Sequence, residues 1–226
     1  MICLTDFNID SWAACGAALT YLALKEPAKA VGGVLADCVH KCYENITSIL
    51  EKYHKLREQN HTCGENLREV DPKFGILWYQ SAALEGNEVL QDLWATLLMR
   101  VTDKNFKGDL NIAFIEILRT LTPVEVTILR TYYDFLNENY QWDTYTSANI
   151  ELSLDKDVLL NELDIKDIEL EASLLNLERC QLVTTFHNGG NVRINGLPSV
   201  NKGAPSLTAL GVMFIDACIA SSSAEV

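Results

Sequence analysis

Between Glu85 and Val101 the apolar residues Val89, Leu90, Leu93, Trp94, Leu97, Leu98 and Val101 recur at intervals of three and four. That spacing is the repeat of an α-helix and not of a strand. The stripe is broader than a coiled-coil seam, so one neighbouring helix cannot cover it. Glu88, Gln91, Asp92 and Arg100 fall mostly off it. A chain carrying this segment must stack helices on both sides of it, and two candidates exist. One is a helix from Val34 towards Gln59, with Leu35, Val39, Tyr43, Ile46, Ile49, Leu50 and Tyr53 at helical spacing; the other is the short apolar run Ile112 to Leu121. Trp94 then reads as a core anchor, and the stripe as packing rather than a cofactor site.

A second local signal is Thr122-Pro123-Val124-Glu125. A Thr at the helix entrance can accept from the amide of the residue three on, while Glu125 reaches back to the amide of Thr122. Proline fits the first helical position, where its missing donor costs nothing. The helix so started, with Val124, Ile128, Leu129, Tyr132 and Leu136 apolar, should run to about Asn137. A looser section follows, with a short strand near Ile150 to Leu152, then helices over Asp155 to Leu163 and Lys166 to Arg179 that bury Leu170, Leu174 and Leu177. The runs Leu182 to Phe186 and Val192 to Ile194 around the turn His187 to Asn191 read as a β-hairpin. Thr208 caps a closing helix over Ala209 to Ala220. At the other end, Ser11 to Leu24 is rich in strong helix formers, with Asp10 or Ser11 as cap.

This order predicts a mainly α protein: an N-terminal helical part over residues 1–105 and a C-terminal winged-helix-like unit over residues 106–226 with a small β-hairpin wing. The turn-like stretch Lys104 to Gly108 separates them.

Charge narrows the partners. The formal net charge is −13, of which −4 falls in residues 1–105 and −9 in 106–226. Nucleic acid and anionic membranes demand clustered Lys and Arg. Asp134 to Glu171 instead holds eleven acids against Lys156 and Lys166. The helix in the recognition position carries Asp167, Glu169, Glu171 and Glu178, so no nucleic acid is expected and a protein partner is.

Cysteines stand at 3, 15, 38, 42, 63, 180 and 218, an odd set in a chain too large to need staples, which points to reduced thiols and a cytoplasmic setting. The run Trp12 to Leu24 stops at Lys25-Glu26-Pro27, short of the roughly 18 residues that cross a bilayer. Membrane contact through residues 12–39 remains a minor alternative. Cys38 and Cys42 lie one helical turn apart, with His40, His54, His61 and Cys63 nearby. Zinc modules show paired ligands at regular spacing, which these lack, so no metal is expected. Gly32-Gly33 has neither the flanking strand nor the Lys of a phosphate loop, and Gly189-Gly190 suits a hairpin turn. No catalytic or cofactor-binding residue is assigned, and the chain reads as non-enzymatic with no cofactor.

Three blocks in order resemble the Abi-alpha family of bacterial abortive-infection proteins. They are Ala83 to Leu98, with its Leu-Gln-Asp-Leu-Trp-Ala-Thr-Leu-Leu helix; Phe114 to Leu129, which holds the Thr-Pro-Val-Glu cap; and the pair Asn176 to Val183 and Leu207 to Cys218. Two departures stand out. Asn111-Ile112-Ala113 occupies the place of a His-Pro pair, and Arg179 with Cys180 interrupts the apolar run between Leu177 and Leu182. The resemblance implies phage defence in a bacterium and transfers no catalytic residue. The expected function is a non-enzymatic, protein-contacting defence protein. The alternatives are a winged-helix transcriptional regulator or scaffold, and a membrane-acting toxin.

Overall fold

The computed structural model describes residues 33–59, 67–108, 110–140, 152–154, 156–185 and 205–219. The expected helix at Ser11 to Leu24, residues 12–32 of the membrane alternative, the turn His187 to Asn191 and the strand Val192 to Ile194 lie outside them. The chain divides into two compact units, Met1–Thr102 and Asp103–Val226.

In the first unit, helix α1 (Gly33–Gln59) packs along α3 (Glu88–Thr102), and α2 (Pro72–Ala82) also packs on α1. Of the apolar positions expected to line α1, Ile46, Ile49 and Tyr53 are buried, whereas Tyr43 faces solvent. A stripe read at fixed spacing overestimates the buried face because it ignores where the partner ends. α2 was not anticipated, yet its start is written locally. The Asp71 side chain accepts from the amides of Lys73 (2.7 Å) and Phe74 (3.3 Å), with Pro72 in the first turn. Its Phe74 and Trp78 are buried.

Trp94, 1% exposed, is the largest fully buried side chain among the described residues. Trp78 meets it edge to face with ring centroids 6.4 Å apart, and the Trp78 indole donates to the Trp94 carbonyl at 3.1 Å. Thus α2 covers part of the stripe that α1 leaves open. Gln91, expected off the stripe, is buried, and both ends of its amide are satisfied. Its Oε1 accepts from Ser48 Oγ at 2.8 Å and its Nε2 donates to the Glu85 carbonyl at 2.9 Å. Asn45 donates to the Ala83 carbonyl at 3.0 Å in the same region, so polar side chains fix the α1–α3 register. At the far end of α3, Arg68 donates from its backbone amide to Thr102 O (2.7 Å) and from its guanidinium to Val101 O (2.8 Å) and Arg100 O (3.1 Å). A helix leaves its last carbonyls without internal partners, and a cation is the favoured group to meet them.

The second unit runs α4 (Ala113–Leu118), α5 (Pro123–Tyr140), β1 (Leu152–Ser153), α6 (Lys156–Leu163), α7 (Asp167–Arg179), β2 (Val183–Thr185), β3 (Pro205–Leu207) and α8 (Ala209–Cys218). The strands form an antiparallel sheet in the order β1-β3-β2, with Leu152 and Val183 both opposite Leu207. The unit thus runs helix, helix, strand, helix, helix, two strands and a closing helix. The partner of β2 is Pro205–Leu207 and lies beyond the nearer run at Val192. Pro205 disguises β3 in the sequence, but it stands first in the strand, where a missing donor is tolerated. Its carbonyl accepts from the Tyr132 hydroxyl at 2.6 Å and from the Leu154 amide at 3.2 Å.

Phe114 and Phe214 pack edge to face at 5.6 Å, and Leu118, Leu129, Leu170 and Leu177 are buried in the same unit. α8 begins as expected, with Thr208 Oγ1 accepting from the Gly211 amide at 2.9 Å. A Cβ on Gly211 would stand 2.1 Å from the Leu182 carbonyl oxygen, so only glycine lets α8 approach the strand end this closely.

Candidate functional site

Cys38, His40, Cys42 and His54 sit on α1. Cys38 is exposed and Cys42 half-buried. Burial, and secondarily the neighbouring Cys38, push the Cys42 thiol above its usual range. That shift favours the protonated thiol, whereas nucleophiles and metal ligands need thiolate. His40 Nε2 lies 3.3 Å from Glu44 on the exposed face, and His54 packs edge-on against Tyr53 at 5.3 Å. Among the described residues no three His, Cys, Asp or Glu side chains converge on a common point. His61 and Cys63 lie outside the described residues.

The second unit offers a different arrangement on α7. One face of this helix is core, because Leu170, Ser173, Leu174 and Leu177 are buried. Successive residues turn by about 100° around a helix, so Ile168, Ala172, Leu175 and Arg179 share the opposite face. Ile168 is 75% and Leu175 62% exposed, the former being the most exposed large apolar residue among the described ones. Asp167, Glu171 and Glu178 follow one flank of this ridge, and Glu169 lies on the other. Apolar residues therefore occupy both faces of α7, with acids between. Only the inner face was legible, since a search for a single stripe stops at Leu170, Leu174 and Leu177.

Two polar clusters hold the helix in place. On the outside, Lys156 Nζ sits 2.7 Å from Asp167 and 2.8 Å from Glu171. Hydrogen bonds to these two carboxylates hold the ammonium above its ordinary pKa, so it stays charged. Further in, the buried carboxylate of Glu125 bridges two elements. Its Oε2 accepts from the Thr122 amide at 2.6 Å, as the capping signature predicts, and its Oε1 accepts from Asn176 Nδ2, also at 2.6 Å. The Asn176 amide also donates to Thr120 O at 3.1 Å, and its Oδ1 accepts from Arg179 at 2.7 and 3.1 Å. The helix cap of α5 is thereby also the anchor of α7, a role that no local pattern reveals.

Arg179 and Cys180, which break the apolar run in the sequence, terminate the helix. Gln181 adopts a left-handed φ of 59°, and the Leu182 amide returns to the Leu177 carbonyl at 3.0 Å. The turn delivers buried Leu182 to the core and Val183 to the sheet.

A helix that reads DNA presents Arg, Lys, Asn or Gln to the major groove. Here the exposed face presents Ile168, Ala172 and Leu175 beside carboxylates. Among the described residues no helix is long and apolar enough to cross a membrane. The family model described as abortive infection alpha matches residues 43–218, from within α1 to the end of α8. No curated protein and no solved structure matches the chain.

Proposed function

Because the chain belongs to the abortive infection alpha family, we propose that it serves phage defence without catalysing a reaction, by contacting another protein. The observation that carries this reading is the outer face of α7. In a winged-helix-like order this helix holds the position from which DNA is read, and here it exposes Ile168 and Leu175 between acidic side chains. Carboxylates at close range to phosphate oppose binding, while an exposed apolar cluster gains from burial against another protein. The matched blocks agree with this view. Trp94, Leu97, Glu125 and Leu177 are buried packing and capping positions that shape the scaffold.

The test is expression of the full chain in a phage-sensitive bacterium. Efficiency of plating should fall, and infected cells should stop growing before progeny phage are released. Unchanged plating despite normal accumulation of the protein overturns the defence role. Nanomolar, sequence-selective binding to duplex DNA at physiological salt would instead support the regulator, and flotation with lipid vesicles would support the membrane-acting alternative.

A further inference from the structure

We propose that the ridge formed by Ile168, Ala172 and Leu175 is the docking surface itself, and that its partner is a segment of another protein pairing an apolar strip with Lys or Arg side chains. This inference rests on the contact reading above and adds the place and the chemistry. From Ile168 to Leu175 the ridge covers two helical turns, about 10 Å along the axis. That length matches the small apolar anchor clusters that dominate protein interfaces. Leu170, Leu174 and Leu177 fix the opposite side in the core, and Asn176 ties the helix to Glu125 and Thr120, so the ridge is held rigidly before any partner arrives. Pre-ordering lowers the entropic cost of association.

The charges select the occupant. Asp167, Glu171 and Glu178 lie along one flank. Lys156 contacts the first two, but an ionised carboxylate accepts at several lone-pair positions, so each retains room for a further donor. A second copy docking ridge to ridge would bring Asp167, Glu171 and Glu178 against either the same flank or the flank that carries Glu169, both acidic, and like charges in contact are unfavourable. Anionic lipid and nucleic acid are opposed for the same reason. A basic apolar segment meets both requirements, and charge pairing at the edge also steers its approach.

The experiment places the photo-crosslinking residue p-benzoylphenylalanine at position 175 of the full chain in the bacterial host, with and without phage, and maps the adduct to a peptide. The expected result is an adduct to a segment of a different protein in which Lys and Arg outnumber Asp and Glu around apolar residues. Its yield should fall roughly thirtyfold when Ile168 is replaced by Glu, as for loss of an anchor residue. Circular dichroism and melting of the purified Ile168→Glu variant should match the parent, since position 168 is exposed. An adduct to a second copy, to an acidic segment, to lipid or to nucleic acid overturns the proposal, as does the absence of any adduct. If the parent chain protects against phage and the variant with Glu at both 168 and 175 protects equally well, the ridge is not the contact surface although the defence role stands. If the parent does not protect, the defence role fails whatever the crosslink shows.

Discussion

α3 and α7 are both rich in leucine, and both belong to the segments matched by the family model. In α3 the apolar stripe is buried from Leu90 through Trp94 to Val101, and even Gln91 and Thr102 are enclosed. In α7 the apolar residues are divided between Leu170, Leu174 and Leu177 inside and Ile168 and Leu175 outside. Composition does not separate these cases. What differs is how far each face is covered: α3 lies along α1 and also receives Trp78 from α2, whereas Ile168 and Leu175 on the outer face of α7 are 75% and 62% exposed. An apolar residue beside a neighbour contributes stability, and one without a neighbour is available for recognition.

Substitutions can break this contrast, and the largest effect belongs to Trp94→Ala. Truncating a buried Trp costs about 3 to 5 kcal/mol, a large share of the roughly 5 to 15 kcal/mol that stabilises a domain. The melting temperature and the soluble yield should drop together, and protection should fall with abundance. Lost protection at unchanged melting and abundance would make Trp94 a contact residue and erase the distinction between the two helices.

Gly211→Ala comes next. Its new methyl group would meet the Leu182 carbonyl, a backbone atom that cannot swing aside, and overpacking of this kind costs about 3 kcal/mol at the upper end of its usual range. A melting curve of the purified variant within error of the parent would show that the strand end and α8 are less tightly opposed than the geometry implies.

Glu125→Ala removes the cap of α5 and the acceptor of Asn176 together, so its cost should exceed the roughly 1 kcal/mol of an ordinary cap and reach about 2 kcal/mol. Denaturant titration of Glu125→Ala, Asn176→Ala and the double variant checks this. Additive losses would mean that the cap and the α7 anchor are independent.

Smallest of all in stability, the paired change Ile168→Glu and Leu175→Glu should move the unfolding free energy by no more than about 0.5 kcal/mol, because exposed positions away from caps and core tolerate substitution. Protection should nevertheless be lost. A large drop in melting temperature would place these side chains in the folding core instead.

Much of this contrast was legible along the chain. The α3 helix, the cap at Thr122 and Glu125, the pair α6 and α7, and the Thr208 cap each depend on residues within a few positions of one another, where spacing and capping chemistry act directly. The start of α2 is equally local, since Asp71-Pro72 is a helix-entry signal, but its eleven residues with Gly75 among them are too short a run to show a helical period. β3 was hidden for another reason. Its three residues begin with proline, and their strand character comes from pairing with β1 and β2.

By itself, then, the sequence determined helix identity, helix starts and the acid excess of the second half, because each follows from side chains acting on their own backbone or from a simple sum of charges. Tertiary structure alone decided which apolar faces were covered. It placed Trp78 on Trp94 and turned the Glu125 cap into the anchor for Asn176. It also left Ile168 and Leu175 in solvent while enclosing Leu174 between them in sequence. Burial is a property of a residue's neighbours, and those neighbours lie tens of positions away in the chain.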